Sequence, residues 1–72
     1  VSAFNAFGRI IERRRVVVNL SDGSAIDGIL FKQDGPLLVL KNASYLERGA
    51  QPQSLDGDTI IERERVLFIQ AP

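Results

Sequence analysis

The chain of 72 residues contains no histidine and no cysteine, which removes most of the chemistry a small protein can carry. A Ser–His or Cys–His nucleophile pair has no base, and the usual zinc sites have no ligands. Disulfides are excluded as well. What remains is nine acidic residues, nine basic residues and one tyrosine. Asp22, Asp27 and Asp34 are the carboxylates closest to an acid–base arrangement, but Asp22 and Asp34 each precede a glycine in a turn signal, and turn chemistry accounts for them. Asp56-Gly57-Asp58 lacks the glutamate and the spacing of a calcium loop. No glycine-rich phosphate loop is present. These residues describe a non-enzyme with no metal and no cofactor.

The basic residues are the second candidate chemistry. Arg9, Arg13, Arg14 and Arg15 lie near one end with only Glu12 against them, while residues 16–59 are acidic in balance. The sum is zero, which is unusual for a dedicated nucleic-acid binder. Arg13, Arg14, Arg15 and Arg63 are the candidate contacts to nucleic acid or to an acidic partner. The competing account of the first three is a solvated helix end whose dipole favours cations. Tyr45 either stacks on a base or pins a loop.

The elements that must position these residues follow from periodicity. Ala3, Phe4, Phe7, Ile10 and Ile11 form one apolar stripe, predicting a helix over about 3–13. The β-branched run Val16–Leu20 predicts a strand, and Asp22-Gly23 a tight turn. A second strand spans 25–33, with Gly28 inside it marking a bend. Asp34-Gly35 opens the next turn, and Leu37–Leu40 is a strand apolar on both faces. Residues 43–58 read as one long loop. Thr59–Glu62 and Val66–Gln70 are the last two strands. The chain is therefore a single mainly β domain over 1–72, a helix followed by a strongly bent five-stranded antiparallel small barrel over about 15–71. So short a chain builds a small core, commonly about 3–5 kcal/mol below 70–80 residues. With no disulfide or metal available, oligomerisation is the stabiliser left. The apolar final strands offer an edge for it.

From Val16 to Asn42 these residues resemble the first motif of the Sm/LSm/Hfq family: Leu20, the Asp22-Gly23 turn, Gly28 at the bend, Asp34-Gly35 and the apolar Leu37–Leu40. Ile60–Ile69 resembles the second motif. The resemblance implies an Sm-like, SH3-type barrel that closes into a ring of roughly five to seven copies. It implies that Thr59, Ile60 and Ile61 of one copy meet Val66, Phe68 and Ile69 of the next. It also implies binding of single-stranded RNA around the pore, but there the chain departs from the family. Pro36 stands where an aromatic or histidine stacks on a base, and Leu38 where an asparagine reads its edge. Glu62-Arg63-Glu64 replaces the basic pair of the second motif.

Two functions from different classes follow. One is a non-enzymatic homo-oligomeric ring serving as a scaffold or as a module that docks another protein. Because such rings also occur among small phage proteins, a phage context is one expectation. The other is an RNA-binding ring that uses a non-standard basic surface, binding weakly. No apolar run approaches the roughly 20 residues of a membrane span. No secretory signal is visible, so the expected location is the cytoplasm, the host's if the protein is phage-encoded.

Overall fold

The computed structural model describes residues 13–72. The expected helix over about 3–13 lies outside these residues except for Arg13, whose φ of +66° is left-handed rather than helical. Six strands follow: β1 (Arg15–Leu20), β2 (Ala25–Asp34), β3 (Leu37–Leu46), β4 (Gln53–Ser54), β5 (Thr59–Glu62) and β6 (Val66–Gln70). A 3-10 turn over Arg63–Arg65 joins the last two. All described pairings are antiparallel, in the order β4-β3-β2-β1-β6, with β5 also on β3.

Alternation sets the inner face. Val16 and Val18 of β1, Ile26 and Leu30 of β2, and Leu38, Leu40 and Ala43 of β3 are buried and meet Ile61 of β5 in one cluster. Burying a side chain of the Val, Leu or Ile type contributes about 1.5–3 kcal/mol, so this handful of residues is most of what holds the sheet bent. The β1–β2 turn is closed by Asp22, whose Oδ1 accepts from the Ser24 amide at 2.9 Å and the Ser24 hydroxyl at 2.6 Å. Gly23 supplies the positive φ of +94° that the turn requires.

Gly28 sits at the bend, as its place in the strand predicts, and the register shows how the bend is made. Asp27 pairs with Ser44 and Ile29 with Lys41, so Asn42 and Ala43 together face Gly28 alone. The extra residue of this bulge is on β3, and Asn42 takes it up with a left-handed φ of +51°. A Cβ on Gly28 would stand 3.0 Å from the Ala43 Cβ and 3.2 Å from the Lys41 carbonyl oxygen. Only glycine lets the strands approach this closely.

The bulge also corrects the loop over 43–58. Ala43–Leu46 complete β3, and Gln53–Ser54 return to pair with Ser44 and Tyr45. β3 thus carries two partners on one edge: β5 along Leu37–Leu40 and β4 beyond the bulge. The final strands do not pair with each other. β5 lies on β3 and β6 on β1, at opposite ends of the bent sheet.

Candidate assembly edges and the turn between them

Among the described residues β5 pairs only with β3, and β6 only with β1, so each has one backbone edge without a partner strand there. Such an edge carries a row of N–H and C=O groups able to pair with another strand. The side chains beside these edges are apolar. Ile60 is 61% exposed, Leu67 66% and Phe68 52%, and these are the three large exposed hydrophobics among the described residues. A cleft of about 710 Å³ runs beside β6, lined by Gly35, Pro36, Leu38, Arg63, Phe68 and Ile69 among others.

The turn between the edges is tied at both ends. The Arg63 amide donates to the Pro36 carbonyl oxygen at 2.7 Å, holding the 3-10 turn against the β2–β3 hairpin. Arg65 Nε lies 3.0 Å from Glu62 Oε1 across the turn. The Ser21 amide donates to the Arg65 carbonyl at 2.9 Å, linking the turn to the end of β1.

The expected interface residues divide in two. Thr59, half-buried, and the exposed Ile60 and Phe68 lie along the free edges. Ile61 is a core residue, 6% exposed, because strand alternation turns it opposite to Ile60. Val66 and Ile69 are half-buried and pack against the core. Sequence reasoning missed Leu67. The ladder between β1 and β6 skips it, pairing Asn19 with Phe68 and Leu20 with Val66, so Leu67 is turned outward. The signal was present as four consecutive apolar residues in a strand with one inner face.

The nucleotide-reading positions are altered in kind. Pro36 is exposed in the hairpin turn. Leu38, which the resemblance sets against a base-reading asparagine, is 1% exposed and belongs to the core. Glu62 is engaged with Arg65. The arginines do not form one patch. Arg15 is bonded to Asp27, with Nε 3.2 Å from Oδ1. Arg14 donates to the Pro72 carbonyl oxygen at 3.3 Å. Arg13 donates its amide to the Leu30 carbonyl and lays its guanidinium 4.9 Å from the Phe31 ring centre. Lys41 lies 4.5 Å from the same ring and 3.4 Å from Asp58 Oδ1. Arg63 lies in the turn and lines the cleft. Phe31 and Lys41 were not legible as neighbours of Arg13, because their meeting depends on a second register shift between Leu30 and Lys32.

Of the carboxyl groups, Asp22 is held below its ordinary range by the Ser24 hydroxyl first and the Ser24 amide second. Both favour the charged form, and both belong to the turn. No group of three or more acidic side chains among the described residues is placed to hold a metal ion. No described helix is long and apolar enough to cross a membrane.

The bent sheet has counterparts in solved structures. The SmAP1 heptamer of P. aerophilum superposes with a TM-score of 0.83 at 27% identity, over 100% of this chain and 96% of that one. A heptameric archaeal Sm protein superposes at 0.79 with 29% identity, over 93% and 97% of the two chains. The chain has an Sm-like fold. The Sm protein of Pyrococcus abyssii, solved with a uridine heptamer, shares the fold at 0.81 with 22% identity over the full length of both chains. No protein-family model matches the Sm-like chain, and no curated protein matches it.

Proposed function

We propose that this Sm-like protein is a non-enzymatic ring of identical subunits that serves as a scaffold. The observation that carries the reading is the pair of bare strand edges, β5 and β6, flanked by exposed Ile60, Leu67 and Phe68. A single chain leaves both edges and their apolar side chains in water. Adding β5 of one copy to β6 of the next covers both, and because the two edges differ, the contact repeats head to tail until it closes. Two similar structures are heptamers, which supports closure at about that size. Light scattering on the full chain at micromolar concentration tests this. A closed species of about five to seven subunits is expected, and a monomeric mass overturns it.

The scaffold reading, as opposed to the uridine binding of the P. abyssii protein, is supported by Leu38 in the core and Glu62 at the turn. Neither stacks on a base nor offsets phosphate charge. A second reading, weak RNA binding, is favoured by one feature, the Phe31 ring with Arg13 and Lys41 against it. Poly-U and poly-A binding at two salt concentrations separates the readings. Phosphate contacts give a steep salt slope, and a scaffold gives no binding at physiological salt.

A further inference from the structure

Four Asp-Gly steps occur in the chain, at 22–23, 27–28, 34–35 and 56–57. A glycine after aspartate leaves the backbone nitrogen open to attack the aspartyl carboxyl carbon, and the fold holds the four steps very differently. At Asp22 the carboxylate accepts two hydrogen bonds from Ser24, and the Gly23 amide donates to the Leu20 carbonyl at 3.0 Å. At Asp27 the carboxylate is engaged by Arg15, and Gly28 is packed in the middle of the sheet between Val16 and Ala43. At Asp34 the carboxylate is exposed, but the residue is paired with Leu37 across a two-residue hairpin turn. Asp56 is different. It and Gly57 are exposed and outside every strand. Neither the Asp56 carboxylate nor the Gly57 amide has a hydrogen-bond partner among the described residues.

We infer that Asp56–Gly57 is a site of spontaneous backbone modification, the conversion of aspartate to isoaspartate, and that the fold suppresses the same reaction at the other three steps. The Gly57 nitrogen loses its proton and bonds to the Asp56 carboxyl carbon. One carboxyl oxygen leaves as water, closing a five-membered succinimide. A second water opens the ring. Opening at the former backbone carbonyl leaves the main chain running through the Asp56 side chain. One water leaves and one returns, so mass is unchanged and no redox partner or enzyme is needed. Closure requires the aspartyl residue to rotate about ψ until nitrogen and carboxyl carbon meet. That rotation breaks a strand pair at Asp34 or Asp27 and a turn bond at Asp22, but no hydrogen bond at Asp56. The site lies between Leu55, whose amide donates to the Ala43 carbonyl at 2.9 Å, and Asp58, which meets Lys41. Both anchors act outside the reacting pair and leave it unprotected.

The test incubates the full chain at neutral pH and body temperature. Isoaspartate is then located by peptide mapping and by labelling with an isoaspartyl methyltransferase. A parallel sample is kept in denaturant. In denaturant all four steps should convert at similar rates. In the folded chain Asp56 should convert at a rate close to its denatured one, and the other three should be slowed at least severalfold. The variant Asp56→Glu, which cannot form the five-membered ring, should abolish the fast labelling while its circular dichroism stays that of the parent. Faster conversion at Asp22, Asp27 or Asp34 in the folded chain overturns the inference. So does an Asp56 slowed as much as the others, or labelling that survives Asp56→Glu.

Discussion

Leu38 and Gly28 show how single residues decide between fold and function here. Leu38, set by the resemblance where the family reads a base, is 1% exposed and belongs to the core cluster. Restoring a polar reader by Leu38→Asn would place an amide among Leu30, Leu40 and Ile61. An unpartnered buried polar group costs about 1–3 kcal/mol, and the lost apolar contact adds to it. Urea unfolding should therefore show a clear loss of stability, and a variant as stable as the parent would mean that the position faces solvent. Gly28→Val carries a steric penalty, since its Cβ would stand 3.0 Å from that of Ala43 and 3.1 Å from the Ala43 Cα. Overpacking of this kind costs about 1–3 kcal/mol, and the same denaturation measurement checks it. Asp22 adds a dependence on pH. Its folded pKa is depressed below the ordinary aspartate value of 3.8 by the hydrogen bonds from the Ser24 hydroxyl and then the Ser24 amide. The contribution is thus present above that value and declines as pH falls through the depressed one. The stability gap between the parent and Asp22→Ala should narrow on acidification below pH 3.8. A gap that holds constant through this acid limb would show that the charge is not what the turn uses.

At the scale of elements, the last turn is where a surface contact is easily over-read. Glu62 and Arg65 are largely exposed, and an exposed ion pair is worth about 0–1 kcal/mol. Glu62→Ala should therefore leave the urea midpoint almost unchanged, because the Arg63 amide bond to Pro36 and the Ser21 bond to Arg65 hold the turn through backbone. A large loss of stability would assign the turn to the ion pair instead. The same contrast explains what the sequence could reveal. β1, β2 and their turn were legible because alternation and Asp-Gly chemistry are local, and the bend at Gly28 was legible because glycine in a strand has few other uses. The end of β3 was not. Asn42 bulges out of the ladder, so the alternation of Ala43 and Tyr45 is displaced by one residue and reads as loop. β4 depends on that displaced half of β3 for its partner, and two residues carry no periodicity of their own. The exposed face of β6 was half legible: Phe68 was expected at the edge, whereas Leu67 needed the skipped pair with β1 to turn it outward.

For the whole molecule the decisive property is that its two free edges differ. β5 offers Ile60 and β6 offers Leu67 and Phe68, and the two strands sit at opposite ends of the sheet path. A contact between unlike edges is directional, so in the proposed ring each copy would use one edge as donor and the other as acceptor of the next strand. Blocking the β5 edge in one chain and the β6 edge in another should then stop growth but leave the two chains one way to pair. Ile60→Asp places a charge on the β5 edge, and Phe68→Asp places one on the β6 edge. Both positions are more than half exposed in the single chain, so each variant keeps its fold. Burying an unpaired carboxylate in the seam is strongly unfavourable, so neither variant should assemble alone. Mixed in equal amounts they retain one intact seam, the β5 edge of the Phe68→Asp chain against the β6 edge of the Ile60→Asp chain. Light scattering of the mixture should show a dimer at most, and native mass spectrometry should find one chain of each kind in it. A mixture that stays monomeric would show that one seam is too weak without ring closure, and raising the concentration should then populate the mixed pair. A mixture that rebuilds the parent ring, or a variant that forms it alone, would show that assembly runs through some other surface.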